Sequence, residues 1–63
     1  MPLNRSELSS IAESLAQLAG RITVMAEELQ AERDDSPASE LFAVERTLQG
    51  AHRRLDRLLM ARR

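Results

Sequence analysis

The residues best suited to acid–base or metal chemistry are His52 and Asp56, which stand four positions apart. On a helix this spacing places the two side chains one turn apart, where Asp56 could orient the imidazole as a base or share a metal ion with it. His52 is the only histidine, and no cysteine is present to complete a set of metal ligands. We therefore interpret the pair as an ion pair on a helix surface, and we expect no metal site.

The rest of the composition is poor in groups that perform catalysis. The chain contains no lysine, cysteine or tyrosine and no glycine-rich phosphate loop. The serines at positions 6, 9, 10 and 14 cluster where a helix should begin, with no base near them in the sequence. Serines in that place are typical of helix capping and of a polar surface. We expect a protein that is not an enzyme and that binds no cofactor.

Arginine supplies all nine basic residues, and six of the nine lie in residues 36–63. Arg46, Arg53 and Arg57 are predicted to share one outward face of a helix, with Arg54 on its flank. Guanidinium groups suit phosphate and carboxylate, so this arginine cluster is a candidate site for an anion or an acidic partner. An ordinary solvated face, with cations near a helix C-terminus, is the other interpretation. The net charge of −1 and a single aromatic residue disfavour nucleic acid, which remains an alternative partner.

Length and composition place the chain in the all-α class. Its 63 residues allow one small domain, and leucine, alanine, glutamate and arginine, which are good helix formers, dominate it. A β-sandwich or barrel would need more β-branched and aromatic residues. No run of 18 apolar residues occurs, so we expect no membrane span and a cytoplasmic protein.

Apolar residues recur with alternating spacings of 3 and 4 in both halves of the chain. This is the a/d heptad pattern of packed helices. The first series has a residues at 8, 15, 22 and 29 and d residues at 11, 18 and 25. Together with Leu59, the two series are the predicted core or interface, which comprises Leu8, Ile11, Leu15, Leu18, Ile22, Met25, Leu29, Leu41, Val44, Leu48, Ala51, Leu55, Leu58 and Leu59.

The heptad phase breaks between the two series, because Leu29 and Leu41 are 12 residues apart where an unbroken repeat needs 14. Ser36 and Pro37 are a good helix start, as N-cap and first helical residue. We predict an antiparallel hairpin with helices over about 5–33 and 37–62 and a turn over about 34–36. Asn4 should cap the first helix, with Glu7 three residues later.

Centring the hairpin between Ser36 and Pro37 brings five a residues opposite five d residues. The pairs expected on this basis are Leu29 with Val44, Met25 with Leu48, Ile22 with Ala51, Leu18 with Leu55, and Leu15 with Leu58.

The first helix also has alanine at its e positions, Ala12, Ala19 and Ala26, which widens the apolar stripe beyond one seam. Such a stripe suits a bundle better than an isolated pair of helices. We therefore expect a homodimer that forms a four-helix bundle, and a non-enzymatic module for protein–protein interaction, a small regulator or adaptor. The alternative is a protein that binds nucleic acid or a nucleotide through the arginine cluster.

Overall fold

The computed structural model describes residues 3–61 and contains two helices packed side by side. Helix α1 spans Arg5–Ala31 and helix α2 spans Asp35–Ala61, with 27 residues in each. They form an antiparallel hairpin that measures 48 × 16 × 14 Å. The prediction of a helical hairpin is confirmed, and the assembly of two hairpins into a bundle stays a prediction.

Asn4 caps the start of α1, as predicted. Its backbone is extended (φ −81°, ψ 93°), and its Oδ1 accepts a hydrogen bond of 3.0 Å from the backbone N–H of Glu7. The Asn4 Nδ2 lies 3.5 Å from the Glu7 carboxylate and donates to it. One of the free N–H groups of the first helical turn is thereby satisfied, and the acidic Glu7 side chain lies at the positive end of the helix dipole.

Helix α1 ends in a Schellman arrangement of hydrogen bonds. The Arg33 N–H donates to the Gln30 carbonyl oxygen (3.0 Å), and the Asp34 N–H donates to the Leu29 carbonyl oxygen (2.9 Å). Arg33 has φ 61°, in the left-handed region that this motif requires and that glycine usually occupies. The turn of the hairpin is therefore residues 32–34, two residues earlier than predicted.

Helix α2 begins at Asp35, so Ser36 is not its N-cap and Pro37 is its third residue. The Ala38 N–H donates to the Asp34 carbonyl oxygen (3.3 Å), which is the first bond of the new helix. Proline is tolerated at Pro37 because a residue in the first turn has no carbonyl four positions earlier within the helix to accept its N–H. The sequence signal of Ser-Pro was correct about a helix start and wrong about its position.

Four alanines are the only buried residues among those described: Ala12, Ala19, Ala26 and Ala38. Three of them are the e residues of α1, so the seam of the hairpin follows the a and e positions of that helix. Helix α2 contributes its own a and e positions to the seam. The half-buried residues that flank this alanine seam are Leu8, Leu15, Ile22 and Leu29 in α1 and Leu41, Glu45, Leu48, His52, Leu55 and Leu59 in α2.

The predicted pairing of a with d residues is wrong within the hairpin. Leu15 and Ala19 line one small cavity together with Leu48 and His52, so Leu48 lies level with Ala19 and not with Met25. Two physical causes act together. The earlier turn shifts the register, and alanine allows two helices to approach more closely than leucine or methionine would.

Candidate interaction surfaces

The d residues of both helices lie outside the hairpin seam. Their exposed fractions range from 37% to 55%: Ile11 46%, Leu18 45%, Met25 55%, Val44 37% and Leu58 39%. Ala51, the remaining d residue, is half-buried. A single exposed leucine is ordinary, whereas a repeated row of large apolar side chains is typical of an interaction surface.

The two d rows lie on the same side of the hairpin. In each helix a d residue precedes an e residue by one position, a rotation of about 100°. Because the helices are antiparallel, this rotation carries both rows to the same side of the plane that contains the two helix axes. The half-buried a residues lie between the rows. We call this surface the apolar face, and it comprises Ile11, Leu18, Met25, Val44, Ala51 and Leu58.

Two further apolar residues are exposed elsewhere. Val24 (56% exposed) is a c residue of α1, about 100° around the helix from the d row. Met60 (63% exposed) is on the outer side of α2. Phe42 is half-buried and lines a hollow near the turn with Ala38 and Gln30. None of these three residues belongs to the apolar face.

All four members of the arginine cluster are exposed. Arg46 and Arg53 line one shallow hollow with Glu45, and Arg53 and Arg57 line another with Asp56. Arg54 is in neither hollow. Arg46 also lines the hollow near the turn, which contains Asp35. The cluster is therefore not uniformly positive, because a carboxylate belongs to each of these three hollows.

The His52 and Asp56 side chains form the i, i+4 pair expected from the sequence, with 3.4 Å between Nδ1 and Oδ2. The His52 side chain is 30% exposed and lines the seam cavity beside Leu15, whereas Asp56 is 55% exposed. The histidine therefore fills space between the helices and presents one edge to an acidic neighbour. Within residues 3–61, no three histidine, cysteine or acidic side chains come close enough together to hold a metal ion.

Polar groups beside the seam make hydrogen bonds within their own helix. The Gln49 Nε2 donates to the Glu45 carboxylate (2.9 Å), and the Thr23 hydroxyl donates to the Ala19 carbonyl oxygen (3.0 Å). Within residues 3–61, no buried side-chain nitrogen or oxygen lacks a hydrogen-bond partner. The alanine seam is thus closed and satisfied, while the apolar face is open.

Neither of the two described helices is both long and apolar enough to cross a lipid bilayer. Comparisons of the chain with models of known protein families, with curated proteins and with solved structures find no significant match in any of the three.

Proposed function

We propose that this chain is a non-enzymatic protein–protein interaction module and that its apolar face binds a second copy of the chain. The product would be a homodimeric four-helix bundle, in which two hairpins cover each other's d residues. The observation that carries the proposal is the exposure of two rows of large apolar d residues on one side of the hairpin. Packing two such faces together is how amphipathic helices complete a bundle core.

The surface area of the hairpin supports a second copy of the chain as the partner. A compact monomer of 7.1 kDa is expected to expose about 4100 Å², whereas this chain exposes 5013 Å². The excess, about 900 Å², is close to the ~800 Å² that each partner buries in a standard stable interface. The hairpin also offers a footprint of 48 Å by 16 Å, about 770 Å², to a partner.

The small core of the single hairpin also supports a dimer. Only alanines are buried among the described residues, and each alanine contributes little apolar surface. A chain of about 60 residues is marginal even with a normal core, and a partner is one of the few ways to stabilise it when disulfides are absent. No cysteine is present to form one.

A matched pair of variants tests the proposal. Leu18→Asp places a charge in the middle of the apolar face, and Val24→Asp places the same charge outside it, at a position that is somewhat more exposed. We expect sedimentation at micromolar concentration to give a dimer for the wild type and for Val24→Asp, and a monomer or an unfolded chain for Leu18→Asp. Burying an unpaired charge is costly, so only the substitution within the interface should disrupt it. A folded wild-type monomer at that concentration would refute the dimer.

The arginine cluster supports a second candidate function, the binding of an anionic partner. All four side chains are exposed and none belongs to the apolar face. A dimer would leave Arg46, Arg53 and Arg57 accessible, whereas Arg54 would lie at its rim. Guanidinium groups match both phosphate and carboxylate in geometry, and the salt dependence of binding separates nucleic acid from an acidic protein. The corresponding measurement is described below.

A further inference from the structure

We infer that the second copy packs end for end, with the turn of one hairpin beside the open end of the other. This inference rests on the proposed dimer and adds its orientation. Two identical apolar faces can pair by a twofold axis in two ways. An axis along the hairpin keeps both turns at one end, and an axis across the hairpin places the turns at opposite ends.

The charges of the hairpin are divided unequally along its length. The half nearest the turn, residues 19–47, carries seven carboxylates and three arginines, a net charge of −4. The described part of the open half, residues 3–18 and 48–61, carries four arginines and three carboxylates, a net charge of +1. Arg62 and Arg63, which lie outside the described residues, follow at that end of the sequence and add +2. Turns at one end would bring together two groups of −4, whereas opposite turns pair −4 with a positive end.

Two charged residues at the edge of the apolar face could form a specific ion pair between the two copies. Glu40 and Arg54 are both exposed and both adjoin the d row of α2, two heptads apart on the same side of the helix. Glu40 is five residues from the start of α2, and Arg54 is seven from its end. When one hairpin is reversed, Glu40 of one copy lies beside Arg54 of the other, and their positions along the helix axis differ by only about 3 Å. Within one chain the same two residues are about 21 Å apart and cannot pair.

The other orientation lacks such a pair. With both turns at one end, α2 of one copy lies against α1 of the other, and Glu40 comes level with Glu28, another exposed carboxylate. Arg54 then comes level with Ser14, which cannot pair with it. The end-for-end dimer has two repulsive rim contacts of its own, because Glu7 of each copy comes level with Glu28 of the other along the α1 helices. Its two Glu40–Arg54 contacts offset that repulsion, and the alternative has only the repulsion.

Charge reversal distinguishes the two orientations. In the end-for-end dimer, Glu40→Arg and Arg54→Glu each create two like-charge contacts, so each should weaken association by roughly tenfold at low salt. Mixing these two variants should restore association, because both contacts between positions 40 and 54 then join opposite charges. The loss should shrink at about 1 M salt, where the Debye length is about 3 Å. Tighter association of Glu40→Arg would overturn the inference, since the introduced arginine would then face Glu28.

A distance measurement separates failure of the orientation from failure of the dimer. The chain has no cysteine, so Ser36→Cys supplies a unique site for a spin label in the first turn of α2, beside the hairpin turn, and Gln17→Cys supplies one at mid-length as a control. End-for-end packing predicts roughly 40 Å between turn labels, and turns at one end predict roughly 10–20 Å. The control should give a short distance in either case. A short turn-to-turn distance overturns the orientation alone, whereas a monomer in sedimentation overturns the proposed function with it.

Discussion

Arg5, the first residue of α1, donates a hydrogen bond from its Nη2 to the main-chain carbonyl oxygen of Leu59, in the last turn of α2. This bond joins the start of α1 to the end of α2 at the open end of the hairpin, opposite the turn. It satisfies one of the carbonyl groups that have no partner at a helix C-terminus, and it places a positive charge at the negative end of the helix dipole.

Removing this bond should loosen the open end. We expect Arg5→Ala to lower the free energy of unfolding by about 1 kcal/mol, because a charged donor to a part-buried carbonyl is lost. Thermal unfolding followed by circular dichroism measures the change, and amide exchange should accelerate in the last turn of α2. Arg5→Lys keeps the charge without the fork geometry of the guanidinium group. Its free energy of unfolding should lie between those of the wild type and Arg5→Ala. An unchanged melting temperature for Arg5→Ala would contradict a stabilising role.

Replacing Arg33 by glycine should stabilise the hairpin. Arg33 has φ 61°, and a side chain in this left-handed conformation costs roughly 1–2 kcal/mol. Glycine removes this cost, but its greater freedom in the unfolded chain offsets part of the benefit. The net increase in the free energy of unfolding should be roughly 0.5–1 kcal/mol. Arg33→Ala removes the same charge and keeps the Cβ, so it should not stabilise. Equal melting temperatures for these two variants would mean that charge, and not backbone conformation, decides the effect.

Ala19→Leu should destabilise the protein, because Ala19 is buried where the two helices approach each other. Overpacking of this kind costs roughly 1–3 kcal/mol. Ala16→Leu is the comparison, since Ala16 lines the same cavity one turn earlier on α1 but is exposed, so that the larger side chain can extend into solvent. Chemical denaturation of the two variants is the measurement. If Ala19→Leu were neutral or stabilising, the seam would not follow the alanine row.

Gly20→Ala should stabilise α1 without changing association. Gly20 is exposed in the helix interior, and a Cβ built there meets no atom within 4 Å. Alanine is favoured over glycine by about 1 kcal/mol in such a position. The residue lies on the side of α1 away from the apolar face, so the dimer should retain its affinity. Weaker dimerisation of Gly20→Ala would indicate a partner backbone close to this residue.

The arginine cluster is tested by replacing Arg46, Arg53, Arg54 and Arg57 together with alanine. Helicity should change little, because exposed substitutions usually alter stability by no more than about 0.5 kcal/mol. If an anionic partner binds here, the variant should bind duplex DNA, single-stranded RNA or an acidic protein more weakly than the wild type. Titrations at two salt concentrations measure this, and nucleic-acid binding should show the steeper salt dependence. Equal binding by both proteins would remove the cluster from any binding role.

The sequence by itself determined the features that depend on local interactions. Spacings of 3 and 4 predicted two amphipathic helices, the interrupted phase predicted the hairpin, and Asn4 with Glu7 predicted the helix cap. The helices and the cap depend on residues within one or two turns of each other, where propensity and hydrogen bonding are nearly independent of the rest of the chain. The hairpin followed from the spacing of 12 residues between Leu29 and Leu41.

Only the tertiary structure decided which side of the apolar stripe would form the seam. A stripe of a, d and e residues is wider than one helix can cover, so either the d or the e residues had to remain outside. The structure buries Ala19 and its equivalents and exposes Leu18, because helices approach more closely over small side chains and the turn at Arg33 sets the register. These choices depend on contacts between distant residues and on one left-handed backbone conformation, and heptad spacing specifies neither of them.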